Sequence, residues 1–314
     1  MTRAAPRPAT ASLLVALAAC CFGSISILTV VATRQGTSLT TLLFWRFALA
    51  SAVLLPIAWR SVTPALPAPR GRRALHGLLV AGVGQAAVTF LSLSALRWIP
   101  AATLGFLFYT FPAWVTLFAA VRGTERVDAR RVLALALSLG GIVLTVGAPA
   151  ATAAAGIVWP GVALALAAAL VYAVYVGYLG RLQTTMTPQY AALYMSAGAG
   201  ILFAIGAVAD GTLTTRLPAI SWAVALTLAL ACTVLAFLAF LRGLSGLGPV
   251  RTSIVATVEP FWTAVLGATV LGQRLTPATL GGGAMIATAV LLLQLPPSAA
   301  AAGTAERASP DRAA

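Results

Sequence analysis

The chain has 314 residues, of which 60% are hydrophobic and 8% are charged, and its formal net charge is +14. Soluble globular domains carry roughly 25% charged residues, so this composition excludes a protein whose main solvent is water. The arginines that supply the positive charge lie between apolar runs and not on one amphipathic face, which argues against a nucleic-acid-binding protein.

Apolar runs of about 20 residues recur along the whole chain, and a helix of this length spans the hydrocarbon core of a bilayer. We therefore predict an all-α integral membrane protein with ten transmembrane helices. The predicted spans, numbered 1 to 10 in chain order, are 11–33, 38–59, 74–97, 100–121, 128–148, 156–179, 188–209, 218–241, 249–270 and 276–294.

The two ends of the chain are predicted to lie outside these spans. The first apolar stretch ends in LAAC at Cys20, which resembles a lipoprotein or secretory signal. The apolar run continues past Cys20 to Val31, so we predict that it is retained as span 1, after a cytoplasmic N-terminus of residues 1–10. The Ala-rich residues 298–314, with their scattered charges, are predicted to form a disordered cytoplasmic tail.

Two stretches of the chain resemble each other. GFLFYTFPAWVTL around Pro112 aligns with SIVATVEPFWTAV around Pro260 at an offset of 148 residues, and the tryptophan two residues after each proline also coincides. At this offset Phe111 falls opposite Glu259, so the two stretches differ by a charge directly before the proline.

The offset divides the chain into two repeats, residues 11–148 and residues 156–294, each with five predicted spans. An odd number of spans means that the second repeat enters the membrane from the opposite face. Inverted repeats of this kind are typical of secondary transporters, whose substrate site lies near the bilayer midplane between the repeats.

The arginines predict the orientation, because positive charge is retained on the cytoplasmic side. Fifteen of the 20 arginines fall in one set of alternating loops and termini, which includes the connection 61–73. The opposite set contains four: Arg34, Arg97, Arg216 and Arg274. We expect a multi-pass protein of the cytoplasmic membrane with both termini in the cytoplasm.

Several short motifs occur in matching order in the two halves. They are FGS (22–24), WRF (45–47), GTERV (123–127), YAVY (172–175), VEPFWTAVLG (258–267) and LGQRLTP (271–277). Together they resemble the EamA-type members of the ten-helix drug/metabolite transporter superfamily. The resemblance implies an exporter or exchanger of small metabolites, with a cavity lined by spans one, three, four, six, eight and nine. Two positions depart from the family pattern, with Gln273 in place of Glu and Phe22 in place of Trp.

Glu259 is the main candidate site residue. It lies about ten residues into span 9, so roughly 15 Å of helix lies on either side of it. A charge at this depth costs at least ~2.5–3.5 kcal/mol on insertion scales, and it is tolerated only beside a wet cavity or a partner. Two interpretations stay open, namely contact with substrate or protons, and a structural carboxyl that bonds to neighbouring helix backbones.

The prolines predict how the two repeats form a cavity. Pro112 and Pro260 each remove a backbone donor, so we expect two matched broken helices that face each other at the midplane, or else simple kinks that shape the bundle. Further cavity-lining candidates are aromatic or polar side chains near this depth, and core packing is the alternative for each. They are Tyr109, Phe111, Trp262, Tyr172, Tyr175 and Gln85.

Arg46 is a second charge inside the predicted membrane region. It lies eight residues into span 2, roughly 12 Å from the outer end. We interpret it as a structural intramembrane charge that extends to the surface or pairs internally, and Glu259 is one available partner.

The sequence contains no nucleophile–base pair, metal-ligand cluster or phosphate-binding loop, so we expect neither an enzyme nor a bound metal or cofactor. We predict a secondary transporter, specifically an exporter, of a small metabolite such as an amino acid, a related compound or a drug-like solute. Its expected partners are the substrate, membrane lipids and protons, with no nucleic acid. A channel or facilitator, and a structural or lipid-handling membrane protein, are the alternatives. Substrate, direction, coupling and oligomeric state stay open.

Overall fold

The computed structural model describes residues 7–63, 68–122, 129–146, 159–183 and 185–294. These ranges contain helices and connections but no strand. The helices, in chain order, are α1 (Pro8–Gly23), α2 (Ile25–Arg34), α3 (Leu39–Arg60), α4 (Gly71–Ala95), α5 (Ala101–Phe108), α6 (Phe111–Val121), α7 (Ala129–Val146), α8 (Trp159–Gln183), α9 (Pro188–Ala209), α10 (Ala219–Ala229), α11 (Ala236–Ala256), α12 (Val258–Leu271) and α13 (Pro277–Gln294).

The predicted all-helical membrane class is confirmed. Seven helical stretches of the described chain are long and apolar enough to cross a membrane, and Val258–Leu271 and Pro277–Leu293 are shorter apolar helices. Large aliphatic side chains such as Val121, Val143 and Leu13 are more than two-thirds exposed, as expected where lipid covers them. The count of ten spans stays a prediction. The predicted tail 298–314 lies outside the described residues.

Three predicted spans are interrupted. Span 4 is divided into α5 and α6, and span 9 is divided between the end of α11 and α12. Span 1 is interrupted at Ser24, between α1 and α2. A π-helical segment, Leu230–Leu235, joins α10 to α11 within span 8.

The connection predicted between spans 8 and 9 differs from the structure. The predicted spans 218–241 and 249–270 leave residues 242–248, which contain three glycines, as a connection, but the backbone there is helical and belongs to α11. A glycine costs a helix only about 1 kcal/mol relative to alanine, and the leucines between these glycines favour the helix.

The helices pack in pairs that follow the repeat. Spans 2 and 7 (α3 and α9) pack together, as do spans 5 and 10 (α7 and α13). Span 1 packs on span 8 through α1 and α11, and the repeat-related spans 6 and 3 pack through α8 and α4. At one crossing, a Cβ on Gly82 would lie 2.5 Å from Cα of Gly198, so the two backbones touch there. Small residues permit such close approach between membrane helices.

Candidate functional site

Two helix breaks lie at the centre of the candidate site. The first break is formed by Tyr109 and Thr110, between α5 and α6, and the second break is Thr257, between α11 and α12. Pro112 lies in the first turn of α6 and Pro260 lies three residues after the second break. Proline has no backbone N–H and fits the first turn of a helix, where N–H groups lack intrahelical partners. The interruptions predicted from the two prolines are therefore present.

A hydrogen bond joins the two breaks. The Tyr109 hydroxyl donates to Oε2 of Glu259 at 3.0 Å, and it lies 2.8 Å from the carbonyl oxygen of Ala256. Tyr109 is 8% exposed, whereas Glu259 is half-buried. Tyr109 belongs to the first repeat and Glu259 to the second, so the deep carboxyl is held by the opposite half of the protein.

The Tyr109 hydroxyl has two oxygen neighbours but only one hydrogen to donate. When that hydrogen points to the Ala256 carbonyl, the short contact with Glu259 requires a proton on the carboxyl, which then donates to the phenolic oxygen. When Glu259 is ionised, the Tyr109 hydrogen points to it. The same geometry therefore accommodates both protonation states of Glu259.

The turn of α12 that carries Glu259 rests on span 1. The Trp262 indole Nε1 donates to the Ser24 Oγ at 3.1 Å, and the Thr263 hydroxyl donates to the Gly23 carbonyl at 2.8 Å. A Cβ on Gly23 would lie 2.7 Å from the Glu259 carbonyl oxygen, so only glycine fits there without displacement. The interruption at Ser24 was not predicted, although the FGS motif was noted as a family feature.

Aromatic rings line the other side of the first break. The Tyr172 ring centroid lies 4.8 Å from that of Phe111 and 5.3 Å from that of Phe108. Tyr172 and Phe111 are both half-buried. Tyr175 is only 5% exposed, and its hydroxyl donates to the Ala81 carbonyl at 2.7 Å, so this side chain is held between α8 and α4.

Gln85 is half-buried on α4, and its amide donates to the Thr89 hydroxyl at 3.0 Å. This bond lies within one helix, one turn apart. No hydrogen bond in the described part of the chain connects Gln85 to either break.

Arg46 is buried away from the breaks. It is 5% exposed, its Nε donates to the Thr233 hydroxyl at 3.1 Å, and its guanidinium carbon lies 4.9 Å from the Phe47 ring centroid. The Thr233 hydroxyl in turn donates to the Leu228 carbonyl across the π-helical segment. Within the described residues no ion pair joins Arg46 to Glu259. Thr233 could not be identified as the partner from the sequence, because no sequence motif marks the π-helical segment in which it lies.

Gln273, noted above as a departure from the family pattern, links the repeats at one end of α12. Its Oε1 accepts a hydrogen bond from the Ala101 backbone N–H at 3.1 Å, in the first turn of α5. Its own backbone N–H donates to the Gly267 carbonyl at 3.0 Å, and Gly272 provides the left-handed residue that ends α12.

An apolar cavity of about 650 Å³ lies between α4, α6 and α8; Tyr175 lines it, whereas Tyr109 and Glu259 do not. Several of its lining side chains are exposed on the outside of the bundle, including Leu79, Val83 and Val174. The described residues contain no group of three or more His, Cys, Asp or Glu side chains that could hold a metal ion.

Comparison with known proteins agrees with this architecture. The model of the EamA-like transporter family matches residues 9–147 and again residues 159–295. No curated protein sequence matches the chain significantly. One solved structure, described only as a crystal structure of a protein, is similar with a TM-score of 0.61 and 19% sequence identity. The similarity covers 97% of this chain and 100% of the other, and at this identity it shows the fold alone.

Proposed function

Because this chain belongs to the EamA-like transporter family, we propose that it is a secondary transporter that exports a small metabolite across the cytoplasmic membrane by alternating access. The two repeats rock about the breaks before Pro112 and Pro260, where the pathway passes between them. The observation that supports this role is the hydrogen bond from Tyr109 to Glu259. This bond joins the first repeat to the second at the carboxyl beside the second break.

The proposal includes ten spans, with both termini and residues 61–73 in the cytoplasm. Fifteen arginines lie in the loops and termini assigned to the cytoplasm, and four lie in the loops assigned to the opposite side. This excess supports the orientation. Reporter fusions at residue 68 and residue 274 should then give opposite signals. The same signal from both fusions would contradict the ten-span inverted arrangement.

Glu259 is proposed as the group that couples transport to protons. A coupling carboxyl has to be stable with and without its proton, and Tyr109 accommodates both states. It also has to meet each side of the membrane in turn, which its place at the break and between the repeats permits. Phe111 holds the equivalent position in the first repeat, so one carboxyl serves both halves.

The test is Glu259→Gln, which keeps the shape of the side chain and removes its titration. Metabolomics of a deletion strain and an overexpressing strain first selects candidate substrates, and a panel of ¹³C-labelled amino acids serves as the starting set in proteoliposomes. The variant should lose accumulation driven by a pH gradient and keep exchange of labelled for unlabelled substrate. Asp210→Asn, at the C-terminal end of α9, is the matched control and should keep both activities.

Each other outcome excludes one part of the proposal. Loss of exchange together with accumulation means that Glu259 binds a cationic group of the substrate directly. Accumulation that still follows the pH gradient in Glu259→Gln means that the carboxyl is structural. Flux that does not saturate and shows no counterflow would identify a channel or facilitator.

A further inference from the structure

Trp114 carries a buried donor that is not satisfied. Its indole N–H is fully buried in α6 and has no hydrogen-bond partner in the part of the chain that the structure describes. An indole N–H can only donate, and a buried donor without an acceptor is unfavourable. Such groups are rare in native structures, so this one needs an explanation.

The residue equivalent to Trp114 in the second repeat has a hydrogen-bond acceptor for its indole N–H. The offset of 148 residues that relates Pro112 to Pro260 relates Trp114 to Trp262. Trp262 donates its indole N–H to the Ser24 hydroxyl. At the same offset Ser24 corresponds to Tyr172, so the position equivalent to the acceptor also carries a hydroxyl.

Tyr172 lies against the helix that carries Trp114. Trp114 follows Phe111 by three residues on α6, and residues three apart lie on the same helix face. The Phe111 ring is 4.8 Å from the Tyr172 ring, and α6 packs against α8, which carries Tyr172. Among the described residues, none forms a hydrogen bond with the Tyr172 hydroxyl. A donor and an acceptor that both lack a hydrogen-bond partner among the described residues thus lie on two helices in contact.

The two repeats are therefore in different states in this structure. On the α12 side, two hydrogen bonds from Trp262 and Thr263 hold the helix against span 1. On the α6 side, the equivalent of the Thr263–Gly23 contact is Val115 with Val171, which has no side-chain donor. Of the two donors on the α12 side, only the tryptophan has an equivalent on the α6 side.

We propose that Trp114 and Tyr172 form the second gate contact of the transporter. When the pathway closes at the α6 side, the Trp114 Nε1 donates to the Tyr172 hydroxyl, and the Trp262–Ser24 bond opens at the α12 side. On the proposed orientation, Trp262–Ser24 closes the external side and Trp114–Tyr172 closes the cytoplasmic side. Trp114 and Tyr172 thus act as positioning residues, which hold the two repeats in one arrangement. The inference rests on the proposed alternating access.

The test measures from which side the first break is accessible, and it needs no substrate. A single reporter, Phe108→Cys, is placed in a background without Cys20, Cys21 and Cys232. A membrane-impermeant maleimide is added to right-side-out and to inside-out vesicles, and the two labelling rates are compared. Size-exclusion profiles in detergent confirm that each variant is folded.

Trp114→Phe and Tyr172→Phe each remove the bond that holds the cytoplasmic side closed. Both should raise labelling from the cytoplasmic side and lower it from outside, so that the ratio of the two rates changes by about two- to tenfold, the shift in equilibrium that one hydrogen bond supports. The double variant should match the single variants, because both remove the same bond. Ser24→Ala should shift the rates in the opposite direction, and Trp159→Phe, at the exposed start of α8, should shift neither.

Unchanged rates in Trp114→Phe and Tyr172→Phe, with a shift in Ser24→Ala, would overturn the gate contact and leave alternating access intact. Additive effects of the two single variants would also overturn it, since the residues would then act separately. If Ser24→Ala shifts nothing either, alternating access at this site is contradicted and the gate with it.

Discussion

The breaks before Pro112 and Pro260 occupy equivalent positions in the two repeats, yet they lie in different surroundings. At the first break, the Phe111 ring lies among aromatic rings, with Tyr172 at 4.8 Å and Phe108 at 5.9 Å. At the second break, Glu259 meets a phenolic hydroxyl that the first break contributes.

The difference shows how a repeated backbone can support one charge and not two. Both halves keep the interruption, because each keeps its proline. Only the second has a polar partner at the position before the proline, and that partner, Tyr109, comes from the other half. Thr257 stands where a symmetric partner for the first break would be.

The largest expected effect comes from making the two breaks alike. Phe111→Glu places a second carboxyl among aromatic rings, at a cost of about 2.5–3.5 kcal/mol on insertion scales. We expect a clear fall in the thermal unfolding temperature in detergent. Phe111→Leu is the control and should cost less than about 1.5 kcal/mol. Equal unfolding temperatures for the two variants would show that the first break already has polar surroundings.

A smaller loss of stability is expected from a substitution at Gly23, which packs against the Glu259 backbone. In Gly23→Ala the new Cβ meets the Glu259 carbonyl oxygen at 2.7 Å, which is backbone and cannot rotate away. Overpacking of this kind costs about 1–3 kcal/mol.

Gly105→Ala is the matched control, because it faces the same helix, α12, from the first repeat. Its nearest neighbour would be the Thr263 Cγ2 at 3.5 Å, an ordinary contact. Alanine within a helix is favoured over glycine by about 0.5–1 kcal/mol, so this variant should be slightly more stable. Equal losses in both variants would mean that span 1 does not rest tightly on α12.

Tyr109→Phe removes the hydroxyl that connects the two breaks and keeps the aromatic ring. Glu259 and the Ala256 carbonyl both contact this hydroxyl, and each hydrogen bond lost costs about 0.5–1.5 kcal/mol. A double-mutant cycle with Glu259→Gln, followed by thermal unfolding, measures the coupling. A coupling energy of zero would show that the two residues act independently. Tyr190→Phe, whose ring packs on Tyr194, is the control for loss of a tyrosine hydroxyl.

The smallest effect is expected at Gln273, which accepts from the Ala101 N–H at the start of α5. Gln273→Glu places a negative charge at a helix N-terminus, which stabilises by about 0.3–1 kcal/mol at low ionic strength. The unfolding temperature should rise slightly, and the rise should shrink in high salt. Gln273→Leu removes the acceptor and should be less stable than the wild type. A lower unfolding temperature for Gln273→Glu would contradict the contact.

The all-helical membrane class and the two repeats could be predicted from the sequence, since apolar run length is a local signal and the repeats resemble each other in sequence. The interruptions in spans 4 and 9 were likewise predictable, because proline affects the turn in which it lies. The helical backbone at 242–248 was missed, because glycine weakens a helix without excluding it. The interruption at Ser24 and the π-helical segment have no such local cause.

For the site, the sequence alone determined that Glu259 lies within an apolar run, directly before a proline, and that the equivalent position in the first repeat is the apolar Phe111. It did not determine what each buried polar group meets. Tyr109 holds Glu259, Thr233 holds Arg46, and Ser24 holds Trp262. The residues of each of these pairs lie well over 100 positions apart, so only the packing of helix against helix brings them together. For the same reason the unpaired indole of Trp114 is visible only in the tertiary structure, which holds two equivalent tryptophans in two different states.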